Sequence, residues 1–220
     1  MALYKFTDMT EVSNAPMSTS LLEMMRRDIL TGEMRPGQKI VEQDLCRKYG
    51  VSRTPIREAL KQLESDGLVE TILNRGAFVI GMSEKDYEDM FELRKAYEIQ
   101  AVKWAIERIT EEEMEVLEET FEFMEFYTMR NDKDKMMIIN MEFHHVIYEA
   151  AKNRILQKLL TSFQSFLKYS HSATKVDRKY LQAVLEEHRA IFKAIKEKDI
   201  KEGALAMEIH INRARERRFG

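Results

Sequence analysis

The sequence predicts a mainly α-helical chain in two parts: three short helices with a β-hairpin, then a bundle of six antiparallel helices. All three prolines lie in the first quarter of the chain, at Pro16, Pro36 and Pro55. Beyond residue 83 the apolar side chains recur at helical spacing, and polar N-cap residues mark the starts of helices. We therefore predict a disordered tail over 1–16, a first domain over 17–81 and a helical domain over 82–220.

The first domain begins with a helix over about 18–30, where Leu21, Met25 and Ile29 keep helical spacing. A turn at Pro36 and Gly37 follows this helix. The next helix is short, from Glu42 to Tyr49, and ends at a tight turn formed by Gly50 and Val51.

A third short helix begins after an N-cap at Ser52 or Thr54, carries Pro55 in its first turn, and runs to about Asp66. Two β-prone runs then cover 68–73 and 77–80, joined by Asn74, Arg75 and Gly76. Three helices followed by a hairpin form a winged helix-turn-helix.

The second domain is predicted to hold six helices. Several begin at a polar residue with an acid three positions later, such as Thr110 with Glu113 and Asp199 with Glu202. Asn131 with Asp134 fits the same pattern. The short breaks favour antiparallel packing. The predicted spans are 84–109, 111–129, 132–152, 154–173, 177–197 and 200–217.

The overall charge and the cysteine content narrow the class of protein. A formal net charge of −3 argues against a protein that coats nucleic acid indiscriminately. The single cysteine, Cys46, cannot form an internal disulfide, which suits a reducing compartment. No signal peptide and no run of about 18 apolar residues is present. We expect a cytoplasmic protein without a membrane segment.

The third short helix has the composition of a DNA-recognition helix. Its first half carries Arg53 and Arg57, and such a helix enters the major groove by its N-terminal end. Between residues 17 and 81, ten Lys and Arg oppose nine acids, so any basic patch is local. Charge alone leaves a solvated helix face as an alternative. The predicted DNA-binding residues are Ser52, Arg53, Thr54, Arg57, Lys61, Arg75 and Gly76.

Residues 21–81 resemble the DNA-binding domain of the GntR family of bacterial regulators. The matching stretches are DILTGEMRPGQKI, EQDLCRKYGVSRTPIREALKQLESDGLV and NRGAFV. The resemblance implies that Arg53, Thr54 and Arg57 contact operator DNA, with Ser52 beside them. It also places Arg75 and Gly76 at the tip of the wing.

A set of polar residues in the second domain has the spacing of a metal site. Asn140 and His144 leave the same face of one helix, because they are four residues apart. His188 and His210 lie at similar distances from the helix break near Asp199, so they are level on adjacent antiparallel helices. Three imidazoles and a carboxamide can then converge on one ion. The alternative is a group of hydrogen-bonded core histidines.

The second domain resembles the FCD ligand-binding domain that follows GntR winged helices. FELRKAYE, NMEFHHVIYEAAKN and EEHRAIFKAIKEKDIKEGALAMEIH carry the likeness. It implies a divalent metal, such as zinc, nickel or manganese, and a small carboxylate effector near Arg94. The alternative role for Arg94 is a salt bridge with Glu98, four residues later. Both could hold in turn if the effector displaces Glu98 from Arg94. Six helices rather than seven favour the VanR-like branch. The implied metal ligands are Asn140, in place of the usual aspartate, His144, His188 and His210.

These features together predict a ligand-responsive transcription regulator, most simply a repressor, that binds a palindromic operator in double-stranded DNA as a homodimer. An alternative is a regulator whose bundle only dimerises, with a structural metal or none. A di-iron enzyme is disfavoured, because such sites need two Glu-x-x-His motifs and only Glu142 with His145 forms one.

Overall fold

The computed structural model describes residues 17–169 and 176–219, and in these ranges it is mainly helical, with nine helices and one small sheet. The chain divides into two compact units, Met1–Glu84 and Lys85–Gly220. The tail predicted over 1–16 lies outside the described residues. The helix predicted over 154–173 ends earlier, at Leu167, and positions 170–173 lie outside the described residues.

The first unit has the predicted helical order and contains one strand that the sequence reading missed. Its core is formed where α1 packs on α3, through fully buried side chains such as Leu21, Met25, Ile56 and Leu63. The elements are α1 (Met17–Leu30), β1 (Lys39–Ile40), α2 (Glu42–Tyr49), α3 (Arg53–Ser65), β2 (Val69–Ile72) and β3 (Gly76–Val79).

The sheet is antiparallel in the order β1-β3-β2, so the predicted hairpin acquires a third strand. β2 and β3 pair from Val69 opposite Val79 to Ile72 opposite Gly76. The added strand β1 has only two residues, too few to show the alternation by which a strand is recognised. Gly76 has φ +100°, a conformation that disfavours residues with a side chain, and it also lies close to Lys39.

The second unit consists of six helices in its described part, as predicted. Thr110 and Glu113 form the expected capping box at the start of α5. The cap of α6 is Asp132 rather than the expected Asn131, because Asn131 takes φ +54° and ends the preceding turn. The helices are α4 (Glu84–Arg108), α5 (Glu111–Met129), α6 (Lys133–Ala150), α7 (Arg154–Leu167), α8 (Arg178–Lys196) and α9 (Ile200–Phe219).

The helices of the second unit pack closely around one apolar core. A Cβ atom added to Gly203 of α9 would lie 2.5 Å from Cδ1 of Ile106 on α4, so glycine permits this close contact. The same core contains Leu117, Phe143 and Ile191, all fully buried. Among the described helices, none combines the length and apolar character needed to cross a bilayer.

Candidate DNA-binding surface and metal site

All seven residues predicted to bind DNA are exposed in the first unit. Helix α3 begins after Ser52, whose extended backbone serves as the N-cap without a side-chain hydrogen bond. The first turn of α3 therefore offers backbone N–H groups and hydroxyls to solvent, an arrangement suited to phosphate. Arg53 and Thr54 lie in this turn, and Arg57 and Lys61 follow on the exposed part of the helix.

Arg57 has a partner that the sequence reading did not identify. Its Nε donates to both carboxylate oxygens of Glu42, at 2.9 and 3.0 Å, and this bond raises the pKa of Arg57 above its usual value. Glu42 is the first residue of α2. A carboxylate that binds Nε can restrict the orientation of the guanidinium before DNA arrives. The sequence does show an acid, Glu42, on the helix before the recognition helix. Its spacing from Arg57 does not by itself predict that the two side chains meet.

The wing, formed by β2, β3 and the turn between them, carries Arg75 at its tip. Asn74 takes φ +63° in this turn, and Arg75 is exposed with its guanidinium 5.8 Å from the centre of the Phe78 ring. Gly76 is the first residue of β3. The structure thus places an exposed arginine on a narrow turn, as the sequence predicted.

The bundle brings together the three histidines predicted to bind metal. His144 of α6, His188 of α8 and His210 of α9 are buried, and their available ligand atoms all lie within 4.8 Å of one another. Nε2 of His144 lies 3.2 Å from Nε2 of His210 and 3.3 Å from Nε2 of His188. The three Nε2 atoms therefore face a common point.

The other ring nitrogen of each histidine is held by an oxygen. Nδ1 of His144 donates to Glu98 and Nδ1 of His210 donates to Glu187, both at 2.9 Å. Nδ1 of His188 donates to the carbonyl of Val184 at 2.7 Å. Burial, together with the neighbouring imidazoles, lowers the pKa of His188 and His210 well below the usual value. When the rings of His188 and His210 are neutral with Nδ1 protonated, each has a lone pair on Nε2.

Asn140 lies beside this cluster, half-buried, one helical turn before His144. It lines one cavity together with His144 and a second cavity together with His210, and Arg94 lines both. His145 is half-exposed and points to Glu149, with Nε2 3.4 Å from its carboxylate, so it does not join the cluster.

Arg94 and Glu98 form a buried pair. Glu98 is 0% exposed, and it accepts hydrogen bonds from Nε of Arg94 at 2.7 Å and from the Tyr148 hydroxyl at 2.6 Å. Burial acts to raise the pKa of Glu98, but His144 and Arg94 outweigh burial and hold it well below its usual range. A ligand that took Arg94 from Glu98 would leave this buried carboxylate without its arginine partner, although His144 and Tyr148 would still contact it. Displacement of Glu98 by a ligand is therefore expected to be costly, and it stays a prediction.

Glu187 is the hydrogen-bond partner of Nδ1 of His210, as Glu98 is that of Nδ1 of His144. It is buried and accepts two hydrogen bonds from Arg217, at 2.7 and 2.8 Å, in addition to that from His210. The sequence reading missed Glu187, although it directly precedes a predicted metal ligand. Its role depends on contacts with α9 that lie more than 20 residues away.

Two family models match this chain. One, described as "Bacterial regulatory proteins, gntR family", matches residues 18–79, and the other, "FCD domain", matches 89–213.

Similar proteins cover most of the chain. The uncharacterized HTH-type transcriptional regulator YdhC of Bacillus subtilis (strain 168) is 29% identical over 198 residues, 90% of this chain and 88% of that protein. The gluconate operon transcriptional repressor of Bacillus licheniformis is 29% identical over 181 residues, 80% and 74% of the two chains. The solved structure of E. coli McbR/YncC covers 91% of this chain and 95% of its own, with a TM-score of 0.71 and 19% identity. That likeness shows a shared fold.

Proposed function

Because the chain belongs to the GntR family of bacterial regulatory proteins and carries an FCD domain, we propose that this DNA-binding transcription regulator binds a divalent metal and a small carboxylate effector. Its relatives are transcriptional regulators and not enzymes. One observation carries the proposal, namely the convergence of Nε2 atoms from His144, His188 and His210.

The chemistry of the three histidines fits a metal ion. Three lone pairs that face a common point repel one another unless a proton or a metal ion lies between them. Two imidazole nitrogens that share a first-row metal, each about 2.0–2.1 Å from it, lie ~3–3.4 Å apart, and the spacings of 3.2 and 3.3 Å match this range. The oxygens that hold each Nδ1 also orient the rings, as the outer partners of metal sites commonly do.

Asn140 is the proposed fourth protein ligand, through its amide oxygen. It contributes no charge, so the bound ion keeps more of its positive charge than it would beside an aspartate. Zinc, nickel and manganese are the candidate ions, since imidazole suits the first two and oxygen ligands suit manganese. The ion supplies a positively charged docking point for an anionic ligand.

Arg94 is the proposed second contact of the effector carboxylate. It lines both cavities next to Asn140, and its Nε is bonded to Glu98. The terminal nitrogens of the guanidinium are the groups that a carboxylate would use, while Glu98 stays in place. One relative is named for a gluconate operon, and gluconate is a carboxylate.

For the DNA-binding unit, the proposal is a homodimeric repressor of the VanR-like branch that binds a palindromic operator. Each α3 would occupy one half-site, with the half-sites separated by about one turn of DNA or less. The effector must bind two arrangements of the dimer unequally, because a ligand with equal affinity for both shifts nothing.

Elemental analysis tests the metal part. Protein purified without chelator is expected to hold near-stoichiometric metal, and His188→Ala is expected to lose it. His145→Ala is the matched control, since His145 is the neighbour of a proposed ligand but points to Glu149. Wild-type protein that holds no metal, and takes up none of zinc, nickel and manganese, would contradict the proposal.

Thermal-shift measurements with small carboxylates, with and without metal, test the effector part. We expect stabilisation of the metal-loaded protein that is lost in Arg94→Lys, because lysine keeps a charge beside Glu98 but lacks the planar fork of arginine. If an acid binds but operator affinity stays unchanged, the bundle is a dimerisation scaffold and the effector role is wrong.

A further inference from the structure

We infer that the effector is a small monocarboxylic acid with a compact apolar body of about six carbons, rather than a polyhydroxylated acid. The inference rests on the proposed function, in which the carboxylate lies at Arg94 and the metal, and it concerns what the remainder of the molecule contacts. The cavity that extends from Arg94 and His144 between α6 and α7 carries the argument.

This cavity measures about 140 Å³. An apolar cavity of about 150 Å³ in a protein interior holds one benzene molecule. The volume beside Arg94 therefore fits a body of about six carbon atoms. A larger ligand would have to extend past the rim of the cavity into solvent or move the helices around it apart.

The cavity separates polar from apolar groups. Arg94, Asn140 and His144 supply its charged and polar contacts on the side of the histidine cluster. The rest of its lining comes mainly from apolar side chains of α6 and α7, namely Met137, Ile138, Met141 and Leu167.

Few lining groups are suited to bind hydroxyls. The described lining contains no Ser, Thr, Tyr, Asp or Glu. Gln164 is buried, and its amide nitrogen already donates to the carbonyl of Met141 at 3.1 Å. The hydroxyls of a sugar acid would thus lose water and face methionine and leucine.

Besides Arg94, the cavity lining contains one more cationic side chain, that of Lys168, and it does not require a second carboxylate on the ligand. Lys168 is exposed, and so is Ile138, so both lie at the rim. An ammonium group in solvent keeps its hydration and adds little binding energy for an anion. One carboxylate, at the buried end, is therefore sufficient.

Calorimetric titration of the full-length, metal-loaded protein tests this inference, with hexanoate, benzoate and gluconate as probes. We expect hexanoate or benzoate to bind on the order of 100-fold more tightly than gluconate, since an apolar pocket rejects an added hydroxyl by about that factor. Elemental analysis after each titration checks that the acid has not removed the metal.

Two variants locate the selectivity. Met137→Gln preserves the size of the side chain but introduces an amide into the cavity, and it is expected to reduce the preference for hexanoate at least about tenfold. Met129→Gln is the control, because Met129 is exposed on α5 and outside the cavity lining.

The outcomes separate this inference from the proposed function. Gluconate binding as tightly as hexanoate, or an unchanged preference in Met137→Gln, would overturn the inference and leave the carboxylate site intact. If none of the three acids binds the metal-loaded protein, the proposed effector function itself is wrong.

Discussion

The recognition surface of the first unit and the histidine cluster of the second both contain basic side chains paired with carboxylates, but the two sets lie in opposite environments. Arg57 and every other predicted DNA contact are exposed, and Glu42, the partner of Arg57, is half-exposed. Glu98 and His188, by contrast, are 0% exposed. The first surface is available to a large polyanion, whereas the second is shielded from water.

This difference determines what each group can contribute. An exposed ion pair is screened by water and contributes little to stability, so Arg57 can leave Glu42 for a DNA base at small cost. A buried carboxylate is favourable only while its partners stay in place. The arginine of the first unit can therefore exchange its carboxylate partner for DNA, whereas the buried carboxylates of the second unit hold the histidines in a fixed arrangement.

The largest expected effect is in the buried network. Glu98→Ala leaves the guanidinium of Arg94 and the hydroxyl of Tyr148 without their acceptor, and should destabilise the second unit by about 3–5 kcal/mol. The measurement is urea unfolding in the presence of chelator, followed by fluorescence of Trp104, the only tryptophan and a residue of α4. Glu92→Ala, which removes an exposed acid from the same helix, should cost below about 1 kcal/mol. Equal losses of unfolding free energy in Glu98→Ala and Glu92→Ala would contradict the difference between buried and exposed carboxylates.

The next effect concerns specific DNA binding. Arg57→Ala should weaken operator binding roughly 100-fold, because each half-site loses a base contact of about 1–3 kcal/mol. Footprinting of the protein's own genomic neighbourhood identifies the operator fragment, and fluorescence anisotropy measures the affinity. Arg130→Ala removes an equivalent charge from the other unit and should leave affinity unchanged. Undiminished binding by Arg57→Ala would count against the recognition helix.

A smaller effect is expected at the outer partner of His210. Glu187→Gln keeps an acceptor for Nδ1 of His210 but removes the charge, and should weaken metal affinity by about 10–100-fold. Competition with a chromogenic chelator measures the change. Its neighbour Glu186 is exposed and pairs with Arg189, so Glu186→Gln is the control. If both variants keep wild-type affinity, Glu187 has no role in positioning the ligand.

The smallest effect tests the exposed pair. In Glu42→Gln, Arg57 loses its charged partner, and the ratio of specific to non-specific DNA affinity should fall by up to about fivefold. Non-specific affinity should rise, because a negative charge is removed beside the phosphates. Asp44→Asn removes an acid that is paired with Arg47. It should raise non-specific affinity without changing the ratio of specific to non-specific affinity. A specificity ratio that moves equally in both variants would show that Glu42 acts by charge alone.

The amino-acid sequence alone predicted the helices, the order of the two units and the DNA-binding and metal-binding residues proposed for each. These are local properties: apolar spacing places Leu21 and Met25 on one helix face, and a four-residue interval places Asn140 and His144 together. His188 and His210 lie at a similar number of residues from the short turn that joins their helices. The rise per residue of a helix therefore predicts that they lie side by side. The family resemblance extended this reading to DNA binding, and the family models confirmed the membership.

Only the tertiary structure decided which partners those residues have. Glu98 meets His144 across 46 positions, and Glu42 meets Arg57 across 15. β1 exists because β3 lies beside it, since two residues cannot form a strand alone. Such contacts depend on how whole helices and strands pack, and no short-range periodicity records them. The sequence therefore specified the helices and the candidate ligands, while packing between distant elements selected the residues that surround and orient them.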